Sequence, residues 1–151
     1  MDKLKVRFGE PGAGWILLTL EHASCVLTIN ASHVYDSFPP LVSALTVLAA
    51  GSGEATVVWQ CEPVEYQLDF VRSEDIVTLR IVSHQDMGRS VFHKPEPELL
   101  VVGSYEEVGL PFWRALRHLQ GLFSDAEWDA KWQRPFPTAE MRRLTEAIGK
   151  S

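Results

Sequence analysis

The chain has 151 residues, a length typical of one domain, of which 46% are hydrophobic and 23% are charged. This composition excludes a long disordered, collagen-like or coiled-coil chain, and a core of this size needs no metal or disulfide to hold it together. The formal net charge of −6 argues against a general nucleic-acid binder, because such proteins present a mainly cationic surface to the phosphates.

The N-terminal part of the chain predicts three strands. Residues 3–8 alternate charged and apolar side chains, as a half-exposed strand does. The apolar, β-prone residues 15–21 and 24–30 flank a short polar break, which predicts a hairpin. No apolar segment follows the N-terminal charges, so we recognise no signal peptide and expect a cytoplasmic protein with no membrane contact. Cys25 and Cys61 are then free thiols, and a disulfide between neighbouring strands is the alternative.

One amphipathic helix is predicted over residues 38–50, lying across a sheet. Asp36 and Ser37 offer an N-cap, and Gly51 ends the helix. Apolar residues recur at helical spacing at Leu41, Leu45, Leu48 and Ala49.

Alternating side chains predict an antiparallel meander of three strands in the middle of the chain. The strands cover residues 56–61, 64–70 and 77–81, and polar turns at Glu62–Pro63 and at residues 73–75 join them. A meander of this kind buries one face and leaves the other in water.

The C-terminal part predicts a polar loop followed by helices. The loop covers residues 83–97, and residues 98–103 are a strand or an apolar lead-in. Capping boxes at Ser104–Glu107 and Ser124–Glu127 mark two helix starts, and Thr138 caps the last helix. This order of elements predicts a single α+β domain, in which an antiparallel sheet of five to seven strands carries helices on one face.

A short motif in the meander resembles a known pattern. The run from Trp59 to Tyr66 reads W-x-x-E-P-x-E-Y and follows a leucine-rich helix. It resembles a strand turn in small uncharacterised bacterial proteins, a likeness that covers residues 35–82 and implies no established activity. In size and acidity the chain is also similar to bacterial immunity proteins, cytoplasmic antidotes that bind a toxin domain.

Two groups of polar residues could carry chemistry. The first comprises Glu62, Glu65 and Asp69; the last two lie four residues apart in one predicted strand, so they share a face. Carboxylates on one face could bind a divalent cation or share a proton. The second group brackets the polar loop and could bind a metal or transfer a proton: His84, Asp86 and His93. The alternative for both groups is an ordinary solvated surface.

Aromatic and basic residues concentrate towards the C-terminus. They form a candidate interface of Trp113, Arg117, Trp128, Trp132 and Arg134. Tryptophan and arginine often anchor protein–protein interfaces. One alternative is that the tryptophans pack the last helices onto the sheet. Another is that they stack on single-stranded nucleic acid, which the acidity of the chain disfavours.

These observations favour a non-catalytic interaction protein. No nucleophile-elbow, zinc-helix or phosphate-loop motif is present, and the anionic Glu62 beside Cys61 would raise the pKa of that thiol. We therefore expect no metal or cofactor, no nucleic acid, and a protein partner, with a homodimer as one possibility. The alternative is a small-molecule-binding domain or a minor hydrolase-type enzyme that uses the acidic and histidine groups.

Charge is distributed unevenly along the chain. Residues 1–9 carry a net charge of +2, whereas residues 10–79 contain nine acidic residues and one arginine and so carry −8. Residues 80–151 carry no net charge, because their ten basic and ten acidic residues balance. If the protein has a cationic partner, we expect it to bind at the exposed acidic face of the sheet.

Overall fold

The chain has an α+β fold in which one helix separates two groups of strands and the other helices follow the last strand. The computed structural model describes residues 3–85 and 97–150. The strands are β1 Lys5–Phe8, β2 Trp15–His22, β3 Cys25–Ser32, β4 Gly53–Gln60, β5 Glu65–Ser73, β6 Ile76–His84 and β7 Leu99–Gly103. The helices are α1 Phe38–Ala50, α2 Tyr105–Val108, α3 Leu110–Leu122, α4 Asp125–Trp132 and α5 Thr138–Gly149. The predicted α+β class and the antiparallel pairing are confirmed.

The described strands form two antiparallel sheets, and the prediction of one sheet of five to seven strands is wrong. One sheet has the order β1–β2–β3 and the other β4–β5–β6–β7. β3 and β4 lie in contact, but within residues 3–85 and 97–150 no backbone ladder joins them. Side-chain alternation determines which face of a strand is buried, but it does not determine which strands pair.

The predicted meander is confirmed as β4–β5–β6. Val57 lies opposite Leu68, and Leu68 lies opposite Ile81. These three residues are fully buried and face the helices. The segment that the sequence left open as strand or lead-in is β7, which extends this sheet on the far side of β6.

Helix α1 has the predicted bounds, and of its two predicted capping residues only Asp36 bonds a backbone N–H of the first turn. Ser37 occupies the N-cap position, yet its hydroxyl donates to the backbone carbonyl of Val58 in β4. The Asp36 carboxylate accepts the N–H of Phe38 at 3.3 Å and so performs the capping. At the other end, the Arg72 guanidinium donates to the carbonyl of Leu48 at 2.6 Å, which ties α1 to β5.

The C-terminal helices begin at local signals that the sequence contains. Both predicted capping boxes are present, at Ser104–Glu107 and Ser124–Glu127. Thr138 is the first residue of α5 instead of its cap, and the flanking position is Pro137. Helix ends commonly differ by one residue from sequence-based expectation.

One cluster of buried side chains joins both sheets to the helices. α1 packs against β4, β5 and α5, whereas α3 packs against β1 and α4 against β2. The largest buried side chains include Phe38, Trp59, Phe70 and Phe112. In the described part of the chain, no helix combines the length and the apolar character needed to cross a bilayer.

Candidate functional site

The three predicted carboxylates do not form one site. Glu65 and Asp69 share the face of β5 that points away from the helices, which we call the outer face of the four-stranded sheet. Glu65 is buried, and its Oε1 accepts the Gln60 amide at 3.0 Å. Asp69 accepts the Thr56 hydroxyl at 2.8 Å, and Glu62 lies exposed in the turn between β4 and β5. Among the described side chains, no group of three or more metal-ligating residues is placed to hold a metal ion.

Only one member of the predicted histidine group lies in the described part of the chain. His84 ends β6 opposite Glu65, and its Nε2 lies 3.2 Å from the Gln67 amide oxygen. Asp86 and His93 lie outside the described residues. The predicted loop site therefore stays a prediction.

Two of the tryptophans in the candidate interface belong to the core. Trp128 and Trp132 are 1% and 0% exposed. Both contact Phe38 edge-on, with ring centroids 5.2 and 5.3 Å apart. The Trp132 indole N–H donates to Asp36 at 3.2 Å. Burial raises the pKa of Asp36, and the Trp132 hydrogen bond opposes that shift. The packing alternative therefore describes this pair of tryptophans.

The other three residues of that group lie nearer to solvent. Trp113 is half-buried and donates its indole N–H to the Thr145 hydroxyl at 3.1 Å. The Arg117 guanidinium lies 6.0 Å from the centroid of the Trp113 ring. Arg134 donates to the carbonyls of His33 and Val34, at 3.2 and 3.4 Å. Since two tryptophans are buried, the five residues do not present one continuous aromatic surface.

The half-buried environment of Cys61 does not favour a nucleophilic thiolate. Cys25 and Cys61 are both free thiols. Burial raises the pKa of Cys61 to about 11, so this thiol stays protonated at neutral pH. The direction of the shift agrees with the prediction, but desolvation causes it and the neighbouring Glu62 is not among its causes.

An exposed apolar patch occupies part of the outer face, and the sequence did not reveal it. Val71, Ile76, Leu100 and Val102 are 44–60% exposed. Val71 lies opposite Thr78, and Thr78 lies opposite Val102, so this row crosses three strands. The predicted strands stop at residue 70 and start again at 77, which left Val71 and Ile76 beside a turn. Longer strands carry both residues onto the open face.

A groove runs between β1 and α3, and we call it the β1 groove. It has a volume of about 510 Å³. Its lining comprises residues 4–8 together with Pro111, Arg114, Ala115 and His118. A smaller cavity of about 270 Å³ shares Leu4, Pro111 and Arg114 with it and continues towards β7, where Val102 of the outer face is among its lining residues. The positive charge of residues 1–9 was the one sequence signal of this groove.

Comparison with family models, with curated proteins and with solved structures finds no match to this chain.

Proposed function

We propose that this chain is a non-catalytic protein-interaction domain, and that the outer face of its four-stranded sheet binds the partner. The observation that carries this proposal is a row of three side chains across the sheet, formed by Val71, Thr78 and Val102. Its two valines are exposed, and so are Ile76 and Leu100 beside it. Contiguous exposed apolar side chains on a sheet mark a binding surface, because their burial against another protein lowers the free energy.

Charge around the patch indicates the chemistry of the partner. Glu54 lies opposite Val71, and Glu74 and Asp75 occupy the turn between β5 and β6 at the same end of the sheet. Asp69 lies one row further along, beside Arg80. Acidic residues therefore outnumber basic ones at this surface. A complementary partner carries an apolar patch with basic side chains at its rim.

The roles that fit such a surface are those of an immunity-like antidote or an assembly protein. Both cover a surface on another protein and need no catalytic residues. The two free cysteines suit a reducing compartment, and we propose the cytoplasm as the site of action.

Matched substitutions on the two sheets test this proposal. Val71→Arg removes an apolar contact and places a positive charge where a basic partner must approach. Val26→Arg makes the same change at a valine that is 59% exposed on the three-stranded sheet. Partners that the wild-type chain captures from its native host are first identified and purified. Each partner is then titrated by calorimetry against wild type, Val71→Arg and Val26→Arg.

We expect a purified partner with a basic surface to bind wild type and Val26→Arg alike. Val71→Arg should weaken that binding by at least about tenfold, as loss of a central interface side chain does. Equal binding by all three proteins would refute the outer face as the interface. A dimer that Val71→Arg dissociates would assign the face to a second copy instead. A monomer that retains a tightly bound metabolite and no protein would contradict the function itself.

One observation favours the small-molecule alternative. Gln60 is buried beside Glu65, and its amide oxygen accepts no hydrogen bond from the described residues. An unsatisfied buried acceptor could receive a donor from a small ligand near His84. Native mass spectrometry of the purified protein, with Gln60→Leu as the comparison, would reveal a ligand that depends on this amide.

A further inference from the structure

The edge of β1 that faces away from β2 is a second surface suited to binding. We propose that the β1 groove binds an extended, acidic segment of a protein partner, which pairs with β1 as an added strand. This surface uses β1 and α3, whereas the interaction face proposed above uses β5, β6 and β7. The inference therefore goes beyond that function, and either proposal can fail while the other stands.

The lining of the groove shows that it follows the edge of the strand. Five consecutive residues, 4–8, contribute to its wall. Four of them form β1, and successive side chains on a strand point to opposite faces, so a wall that includes the whole strand runs along its edge. β1 pairs with β2 on its other side, where Val6 lies opposite Leu20, and no described strand pairs with the groove side. The main chain there can form a ladder with an extended segment.

Helix α3 contributes the rest of the lining with one of its faces. Pro111, Arg114, Ala115 and His118 follow the pattern i, i+3, i+4, i+7, which places them on one stripe of the helix. α3 packs against β1, so the two walls are held by the core. The volume of about 510 Å³ falls within the range of roughly 300–1,000 Å³ that ligand sites occupy.

The groove is positively charged in a chain whose net charge is −6. Lys5, Arg7 and Arg114 line the larger cavity, and none of its described lining residues is acidic. The Arg7 guanidinium also lies 3.9 Å from the Glu21 carboxylate on the neighbouring strand, which leaves Lys5 and Arg114 as the main cations of the groove. Glu106 and Glu107 line only the smaller cavity, and the Glu107 carboxylate already accepts the N–H of Ser104 at 2.9 Å. Charge complementarity therefore selects an acidic segment.

A peptide suits the groove better than a nucleic acid does. Single-stranded nucleic acids bind through exposed aromatic rings as well as cations. Phe8 is the one phenylalanine, tyrosine or tryptophan among the described lining residues of the two cavities. Its ring packs against Phe38 and Trp59, with centroids 5.3 and 6.2 Å apart, and so belongs to the core. Cations beside an unpaired strand edge point to main-chain pairing with an acidic peptide.

Fluorescence anisotropy with a labelled octapeptide that alternates glutamate and valine tests the proposal. The comparison probes are the same peptide with lysine in place of glutamate, and an oligothymidylate of eight nucleotides. The protein variants are Arg114→Glu in the groove and, as a matched control, Arg142→Glu at an exposed position of α5. Thermal unfolding of each variant verifies that it is folded. Hydrogen exchange of the β1 amides, with and without the acidic peptide, measures main-chain pairing.

We expect the acidic peptide to bind wild type at least about tenfold more tightly than the basic one at low salt. Arg114→Glu should remove most of this binding, Arg142→Glu should preserve it, and exchange of the β1 amides should slow. Absence of binding, equal affinity for both peptides, or equal loss in both variants would overturn the proposal. Tighter binding of the oligothymidylate would assign the groove to nucleic acid. Unchanged β1 exchange would refute strand addition.

Discussion

Replacing Trp132 with phenylalanine should destabilise the protein most strongly at neutral pH. The indole is fully buried, and its N–H donates to the half-buried carboxylate of Asp36 at 3.2 Å. Phenylalanine retains an aromatic ring against Phe38 but supplies no donor. The substitution therefore removes a charge-assisted hydrogen bond and leaves a small void beside the remaining ring.

The expected loss can be worked out from these two contributions. A hydrogen bond to a charged group contributes about 1.5–3 kcal/mol, and the lower end applies because water still reaches Asp36. A void of roughly 40 Å³, at about 24 cal/mol per Å³, adds about 1 kcal/mol. The free energy of unfolding should therefore fall by about 2–3 kcal/mol, which corresponds to a midpoint lower by roughly 5–10 °C in a chain of this size.

The direction of the pH dependence follows from the pKa of Asp36. Burial raises this pKa above the ordinary 3.8, while the Trp132 hydrogen bond lowers it. A carboxyl whose pKa rises on folding destabilises the fold when charged, and this cost disappears as pH falls through the folded pKa to below 3.8. Trp132→Phe removes the bond that holds the pKa down. Its effect should therefore be largest at neutral pH and smaller near about pH 3.

Urea unfolding followed by circular dichroism at both pH values measures this difference. Trp113→Phe is the matched control, because it makes the same ring change but loses a bond to the uncharged Thr145 hydroxyl. The loss of stability in Trp113→Phe should therefore be the same at both pH values, because no carboxyl group accepts the hydrogen bond that is lost. A loss for Trp132→Phe that is equal at both pH values would refute the role of Asp36. A loss below about 0.5 kcal/mol, the usual limit for a surface substitution, would refute the core position of Trp132.

Two further predictions concern a helix cap and a thiol. Ser124→Ala should lower the stability of the protein by about 1 kcal/mol in thermal unfolding, because the Ser124 hydroxyl accepts the N–H of Glu127 at 3.1 Å. Hydrogen bonds to Ser124 lower the pKa of the Glu127 carboxyl. The carboxylate therefore stabilises the fold above pH 4.5, and this stabilisation is lost as pH falls through the folded pKa. A stability difference between wild type and Ser124→Ala that does not change between neutral and acid pH would contradict this role. Iodoacetamide near neutral pH should alkylate the exposed Cys25 well before Cys61, whose pKa burial raises to about 11. Equal labelling rates by mass spectrometry would show that Cys61 is more ionised than its burial implies.

Local signals account for the parts of the fold that the sequence predicts well. The bounds of α1 follow from apolar spacing between a capping segment and Gly51. Both capping boxes need only residues three apart, so they can be recognised without the rest of the fold. The division into two sheets depends on which strands pair, and nothing in a strand's own alternation specifies its neighbour.

The sequence also could not predict which tryptophans of the candidate interface are buried. Tryptophan and arginine enrichment is typical of interfaces, and also of helices packed onto a core. The partners of Trp128 and Trp132 are Phe38 and Asp36, which lie about ninety residues earlier in the chain, and sequence proximity could not indicate them. The apolar patch on the outer face is absent from the prediction for a different reason. Val71 and Ile76 lie at strand ends beyond the predicted strands. Leu100 and Val102 lie in a segment that the sequence does not distinguish as strand or apolar lead-in.

The two proposed surfaces should act on different steps of binding because their chemistry differs. The outer face offers apolar side chains whose burial slows dissociation, so losing Val71 should mainly raise the dissociation rate. The β1 groove offers cations that attract an acidic segment from a distance, so losing Arg114 should mainly lower the association rate at low salt. If one partner uses both surfaces, the two substitutions change different rate constants. An acidic net charge of −6 with a cationic groove thus fits a domain that meets a basic surface on one side and an acidic segment on another.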